Sequence, residues 1–240
     1  LTQSTVFCML QDRKGFLWFG TEDGINKYDG RNITQIQPEP GNPNSLSYNY
    51  IGAIYEDSDG HLWIGTQGGG LNRYDLEHET FTLFRAGTDL SHSLCDDFIN
   101  ALYQCNHGKI WIGTNNGLNI LDPKSGHLVC CKNDPDRPVT LSDNRVTSLL
   151  IDSTGTMWVG TYNGLNRFEH SSESFDQYQR IEFKVYSLNN SHVTTLYQDK
   201  QGFIWIGTEN GLFRYDDKTK EFIRYKNGPD DPDSLSSNHI

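Results

Sequence analysis

The chain predicts an all-β fold of repeated four-stranded antiparallel sheets, and three observations carry that prediction. A tryptophan recurs at near-constant spacing: Trp18, Trp63, Trp111, Trp158 and Trp205 lie 45, 48, 47 and 47 residues apart. Each sits in a copy of one segment, such as GHLWIGTQGGGLNRYD from Gly60 to Asp75. No stretch keeps a helical period, while short apolar runs bounded by Gly, Asn, Asp or Ser fill every copy. A fixed period of about 40–50 residues marks a repeat architecture.

The fourth copy shows what one unit builds. VTSLLID (Val146 to Asp152), TMWVGT (Thr156 to Thr161), LNRFE (Leu165 to Glu169) and FDQYQR (Phe175 to Arg180) are four short runs separated by turn residues. They read as strands A, B, C and D joined by hairpins. The A–B turns are DRKG, DSDG, NHG, DSTG and DKQG. Asp or Asn caps the turn's own backbone and Gly takes the positive φ. These loops lack the length and ligand count of a calcium loop. The B–C turns are EDG, QGGG, NNG, YNG and ENG, and Asn-Gly or Asp-Gly is a hairpin signal. The extra residue in the second copy predicts a bulge at Gly68 to Gly70. A phosphate-binding loop would have to open a helix, and none follows.

A sheet of some 47 residues with Trp, Ile and Val on both faces needs neighbours. Radial stacking supplies them, which predicts a β-propeller. Each D–A connection carries one leucine in a polar tripeptide: SLS (Ser45 to Ser47), SLC (Ser93 to Cys95), TLS (Thr140 to Ser142), SLN (Ser187 to Asn189) and SLS (Ser234 to Ser236). These leucines are expected to plug the clefts between blades. The expected organisation is a single propeller over 1–240. Its blades fall near 1–45, 46–93, 94–140, 141–187 and 188–234, with 235–240 opening a further one. A run from a larger, seven-bladed ring is the primary expectation, a closed five-bladed ring the alternative.

Composition narrows the function. The net charge of −11 argues against wrapping nucleic acid. No apolar run approaches the ~20 residues of a membrane span. LTQSTVFCML lacks the basic start and cleavage site of a signal peptide. Five cysteines (Cys8, Cys95, Cys105, Cys130 and Cys131) give an odd count without CxxC, so neither a disulfide framework nor a zinc site is indicated. Cys8 and Cys105 read as buried thiols.

The repeated W-x-G-T-x-x-G-L-N-R-[YF]-D segment resembles the two-component regulator propeller repeat. The resemblance covers essentially the whole chain. It implies the periplasmic or extracellular sensor region of a membrane-anchored bacterial hybrid two-component sensor histidine kinase. It implies an oligosaccharide ligand, a dimer in the full-length protein, and further blades and downstream domains as partners. Nothing in the chain carries kinase chemistry. Cys105 replaces the usual Asp, Leu121 an aromatic, and Phe213 an Asn.

On a regular scaffold, ligand residues are sought where the repeats differ. The triplets before strand A end in Tyr50, Phe98, Arg145, His192 and His239, and the B–C turns vary at Glu22, Gln67, Asn115, Tyr162 and Glu209. Aromatics beside amides, carboxylates and an arginine suit sugar hydroxyls or a sugar carboxylate. The candidate ligand site is therefore Tyr50, Phe98, Arg145, His192, Glu22, Gln67, Asn115, Tyr162 and Glu209. The five tryptophans are structural, and no catalytic residue, metal or cofactor is expected. A protein-interaction scaffold is the first alternative. A propeller enzyme is the second: a glycosidase using Glu22 and Glu209, or a lyase using His192 and His239.

Overall fold

The computed structural model describes residues 4–89, 91–137, 139–168, 184–186, 188 and 191–240. Leu1, the strand expected at Phe175 to Arg180, Glu169, and the Ser187 and Asn189 flanks of Leu188 lie outside the described residues. The described residues contain strands and no helix. The first sheet holds β1 (Cys8–Gln11), β2 (Leu17–Thr21), β3 (Gly24–Tyr28) and β4 (Ile33–Ile36). The second holds β5 (Ile51–Glu56), β6 (Leu62–Thr66), β7 (Leu71–Asp75) and β8 (Thr80–Phe84). The third holds β9 (Ile99–Gln104), β10 (Ile110–Thr114), β11 (Gly117–Leu121) and β12 (Leu128–Cys131). The fourth holds β13 (Val146–Ile151), β14 (Met157–Thr161), β15 (Gly164–Phe168) and β16 (Lys184–Tyr186). The fifth holds β17 (Val193–Gln198), β18 (Ile204–Thr208), β19 (Gly211–Asp216) and β20 (Glu221–Tyr225). In every sheet the strands lie in chain order. This is the propeller blade, five times over. The chain divides into two compact units, Leu1–Asn115 with Asn119–Cys130, and Asn116–Leu118 with Cys131–Ile240.

Within each unit the tryptophans join neighbouring sheets. Trp18 packs with Leu46, Ile51, Leu62 and Ile64. Trp63 packs with Leu94, Ile99, Ile110 and Ile112. Trp158 packs with Leu188, Val193, Ile204 and Ile206. Each indole thus faces the following sheet, and the lone leucine of the D–A connection fills the same cleft. Four of the five tryptophans are buried. Trp205 is only half-buried. Its cover is Tyr225, stacked at 5.7 Å, and the Arg214 guanidinium at 5.9 Å.

The turns carry a bond that the sequence pattern did not reveal. The aspartate opening the A–B turn accepts from the indole N–H of its own blade. The pairs are Trp18 with Asp12 at 2.8 Å, Trp63 with Asp57 at 2.7 Å, Trp158 with Asp152 at 2.8 Å and Trp205 with Asp199 at 2.7 Å. A second recurring bond uses the buried C-strand asparagine. Ser47, Cys95 and Ser142 donate their backbone N–H to the side-chain oxygens of Asn72, Asn119 and Asn166 at 3.0, 2.9 and 2.8 Å.

Two expectations are corrected. Cys95 and Cys130 form a disulfide, with Cα atoms 6.0 Å apart. The odd cysteine count hid it, since pairing depends on strand proximity and not on spacing in the chain. Between β6 and β7 the ladder runs unbroken from Leu62↔Tyr74 to Gly65↔Leu71. The extra residue is absorbed inside the turn, where Gly68 and Gly70 take φ of 121° and 77°, and the ladder carries no bulge.

Candidate functional site

Two kinds of recurring backbone bond build the rim where the candidates lie. In the first, the turn glycine donates to the middle residue of the pre-A triplet. Examples are Gly24 to Asn49 at 2.6 Å, Gly70 to Asp97 at 2.9 Å and Gly211 to Asn238 at 2.6 Å. In the second, the residue after the B strand donates to the last residue of the triplet. Gln67 donates to Tyr50 at 2.9 Å, Asn115 to Phe98 at 3.2 Å, Tyr162 to Arg145 at 2.9 Å and Glu209 to His192 at 3.2 Å. Eight of the nine candidates are thereby paired two by two through main-chain bonds.

In the second unit the structure brings four candidates into one array. The Arg145 guanidinium carbon lies 4.8 Å from the centre of the Tyr162 ring. Tyr162 and His192 have ring centres 4.6 Å apart. His192 Nδ1 lies 3.0 Å from Glu209 Oε1. Arg145 and Glu209 are exposed, and Tyr162 keeps 46% of its surface. Among the described residues Arg145 forms no ion pair, so its guanidinium fork faces solvent on a stacked, oriented platform. Such a fork matches a carboxylate or sulfate in bidentate fashion.

In the first unit Gln67 is the hub. Its Nε2 donates to the Ile99 carbonyl at 2.7 Å and to Asn100 Oδ1 at 3.3 Å, and Asn100 Nδ2 donates to Asn115 Oδ1 at 2.9 Å. Phe98 is exposed beside it, and the Tyr50 ring packs at a tilt against Phe7, with centres 4.8 Å apart. Asn100 was not legible as a site residue. The signal available was one amide in the otherwise apolar start of a strand A. Glu22 stands exposed on the first B–C turn and joins neither group. His239 is exposed, and its backbone N–H donates to Ser237 Oγ at 3.0 Å. Among the described residues no cluster of three His, Cys, Asp or Glu side chains is placed to hold a metal ion.

A family model described as the two component regulator propeller matches residues 1–23, 45–68, 140–163 and 187–210. A 47-residue stretch, 20% of the chain, is 43% identical to Histidine kinase P4 of Formosa agariphila and spans 3% of that protein. Among solved structures, the chain resembles the extracellular domain of the hybrid two component system BT3049 from B. thetaiotaomicron. The TM-score is 0.76 at 25% identity, covering 95% of this chain and 31% of that one. It also shares its fold with virginiamycin B lyase from Staphylococcus aureus, at TM-score 0.65 and 15% identity, covering 93% of this chain and 71% of the lyase. The chain thus spans about a third of the extracellular domain and a small part of the kinase.

Proposed function

This chain carries two-component regulator propeller repeats, and on that premise we propose that it is a non-catalytic, ligand-sensing segment of the extracellular region of a membrane-anchored hybrid two-component sensor. Its ring is completed by further blades of the parent, which dimerises and signals across the membrane to its kinase. The ligand is an oligosaccharide bearing an acidic group. The observation that carries this reading is the Arg145–Tyr162–His192–Glu209 array. Tyr162 offers a ring to a sugar face, Arg145 a fork to a carboxylate, and the His192–Glu209 pair donors and acceptors to hydroxyls. The Cys95–Cys130 disulfide supports an oxidising, extracellular location. The net charge of −11 disfavours heavily sulfated chains.

The test is calorimetric titration of the full ectodomain with uronate-containing and neutral oligosaccharides, repeated with Arg145→Ala and Tyr162→Ala. Uronate binding should weaken about tenfold or more in both variants. Unchanged binding in both removes the array from the ligand site. Turnover of a sugar in the same samples favours the enzyme reading that the lyase-like fold keeps open.

A further inference from the structure

Pro38 stands where three other blades supply a hydrogen-bond donor. Two residues past strand D, Ala86 donates its backbone N–H to Asp97 Oδ1 at 2.7 Å, Asn133 to Asn144 Oδ1 at 2.7 Å, and Asn227 to Asn238 Oδ1 at 2.8 Å. The first blade has Pro38 and Asn49 at these positions. The register is fixed by the strand-D carbonyl that crowds each turn glycine: Ile36 O at Gly24, Phe84 O at Gly70 and Tyr225 O at Gly211. Proline has no N–H, so the bond cannot form. The main-chain half of the clip survives, since Gly24 still donates to the Asn49 carbonyl at 2.6 Å. Among the described residues the Asn49 carboxamide makes no hydrogen bond.

That amide lines an open cavity of about 380 Å³ with Asp23, Gln37, Pro38, Ser47 and Tyr48. The volume falls within the roughly 300–1,000 Å³ of small-ligand pockets. Its walls pack closely against two glycines. A Cβ on Gly24 would meet the Gln37 side chain at 3.0 Å, and one on Gly69 would meet Ser47 Oγ at 2.8 Å and collide with Tyr48. Gln37 Nε2 donates to the Asp23 carbonyl at 3.2 Å, and Ser47 Oγ donates to the Gly69 carbonyl at 2.7 Å. What remains for a ligand is the Asp23 carboxylate, the Asn49 amide, and the apolar surfaces of Pro38 and of Tyr48, which is 44% exposed.

We infer that this cavity is a binding site for a neutral pyranose. The carbon–hydrogen face of the ring lies on Tyr48 and Pro38. Its vicinal hydroxyls donate to Asp23 and accept from Asn49 Nδ2. Among the described residues Asp23 forms no ion pair, so the site repels uronates and sulfates. Its charge preference is thus opposite to that of the Arg145 array. The inference rests on the reading of the chain as a sugar sensor, but it uses none of that array's residues.

The experiment is saturation-transfer NMR on the full ectodomain with methyl β-glucoside, methyl β-galactoside, methyl α-mannoside and glucuronate. At least one neutral glycoside should bind saturably, with glucuronate about tenfold weaker. Tyr48→Ala should weaken binding roughly tenfold, while Tyr48→Phe keeps the platform and most of the affinity. Asp23→Asn should narrow the gap between glucoside and glucuronate. Pro38→Ala restores the donor, recaptures Asn49 and should weaken binding with no loss of melting temperature. Arg145→Ala should leave neutral-glycoside binding intact, which separates this site from the array. The inference is overturned by no saturable binding of any neutral glycoside, by full binding in Tyr48→Ala, or by loss of binding in Arg145→Ala.

Discussion

The indole N–H of Trp158 donates to Asp152 Oδ2 at 2.8 Å, inside the protein. The other oxygen of the same carboxylate accepts the backbone N–H groups of Thr154 and Thr156 at 2.9 and 3.0 Å. One side chain therefore closes a turn and satisfies the largest residue of the sheet. Trp158 carries that support into the cleft against the fifth sheet, where it meets Tyr215 edge-on at 5.2 Å.

Asp152→Ala strands the indole N–H and two turn N–H groups. Each buried orphan costs about 1–3 kcal/mol. Denaturant unfolding should show a loss of roughly 2–4 kcal/mol, close to the ~3–5 kcal/mol expected for Trp158→Ala. A loss below ~0.5 kcal/mol for Asp152→Ala would show that the clip contributes nothing.

The glycine of the W-x-G-T segment answers to packing. A Cβ on Gly160 would sit 2.6 Å from Val193 Cγ1, on the first strand of the fifth sheet. Gly160→Ala should cost about 1–3 kcal/mol as overpacking. Gly60 takes φ of 86° in an A–B turn, with open space around it. Asn, which tolerates that backbone, should replace it for less than ~1 kcal/mol. The reverse ranking in thermal melts would refute the packing argument.

Reducing the Cys95–Cys130 bond releases a loop spanning 35 residues of sequence separation. The chain-entropy relation gives roughly 4 kcal/mol for a loop of that size. Dithiothreitol should lower the melting temperature of the native protein, and the double Cys→Ser variant should melt at the reduced value regardless of reductant. Identical melts with and without reductant contradict this.

Burial pushes the Cys8 and Cys131 thiols from 9.0 up to about 12, the backbone bond to Gly20 offsetting part of the effect at Cys8. The unfolded chain releases these protons from about pH 9, and the native protein holds them. The stability from this source is full below pH 9 and falls as pH rises toward 12. At pH 8 iodoacetamide should leave native Cys8 and Cys131 unmodified. Denatured, unreduced protein should take up label at the three free cysteines, Cys8, Cys105 and Cys131. Rapid labelling of native protein would contradict the upward push on both thiols.

Sheet count, strand order and the tryptophan positions were legible because period and turn chemistry are local signals. The Asp152–Trp158 clip was not. The aspartate read as a turn cap, and its second oxygen meets an indole six residues on only after the hairpin forms. Gly160 read as part of a motif, while its reason lies in the next repeat. The Cys95–Cys130 bond needs strand β12 beside the pre-A loop, which no spacing rule encodes. Of the candidate site, the pairing of Arg145 with Tyr162 and of His192 with Glu209 follows from repeat phase. Their joining into one array depends on side-chain reach across two sheets. Asn49 was overlooked because its distinction is a missing donor at Pro38, eleven positions earlier.

The rim bonds from Gln67 to Tyr50, Asn115 to Phe98, Tyr162 to Arg145 and Glu209 to His192 run between main-chain atoms alone. Hydrogen bonds of that kind are indifferent to which amino acid supplies them, proline excepted at the donor. Specificity can therefore drift at Arg145, Tyr162, His192 and Glu209 without endangering the scaffold, whereas the Gln67 side chain also holds the Ile99 carbonyl. A library randomised at those four positions should yield mostly folded members with widely different ligands. The same freedom makes the chain a candidate framework for evolving new recognition surfaces.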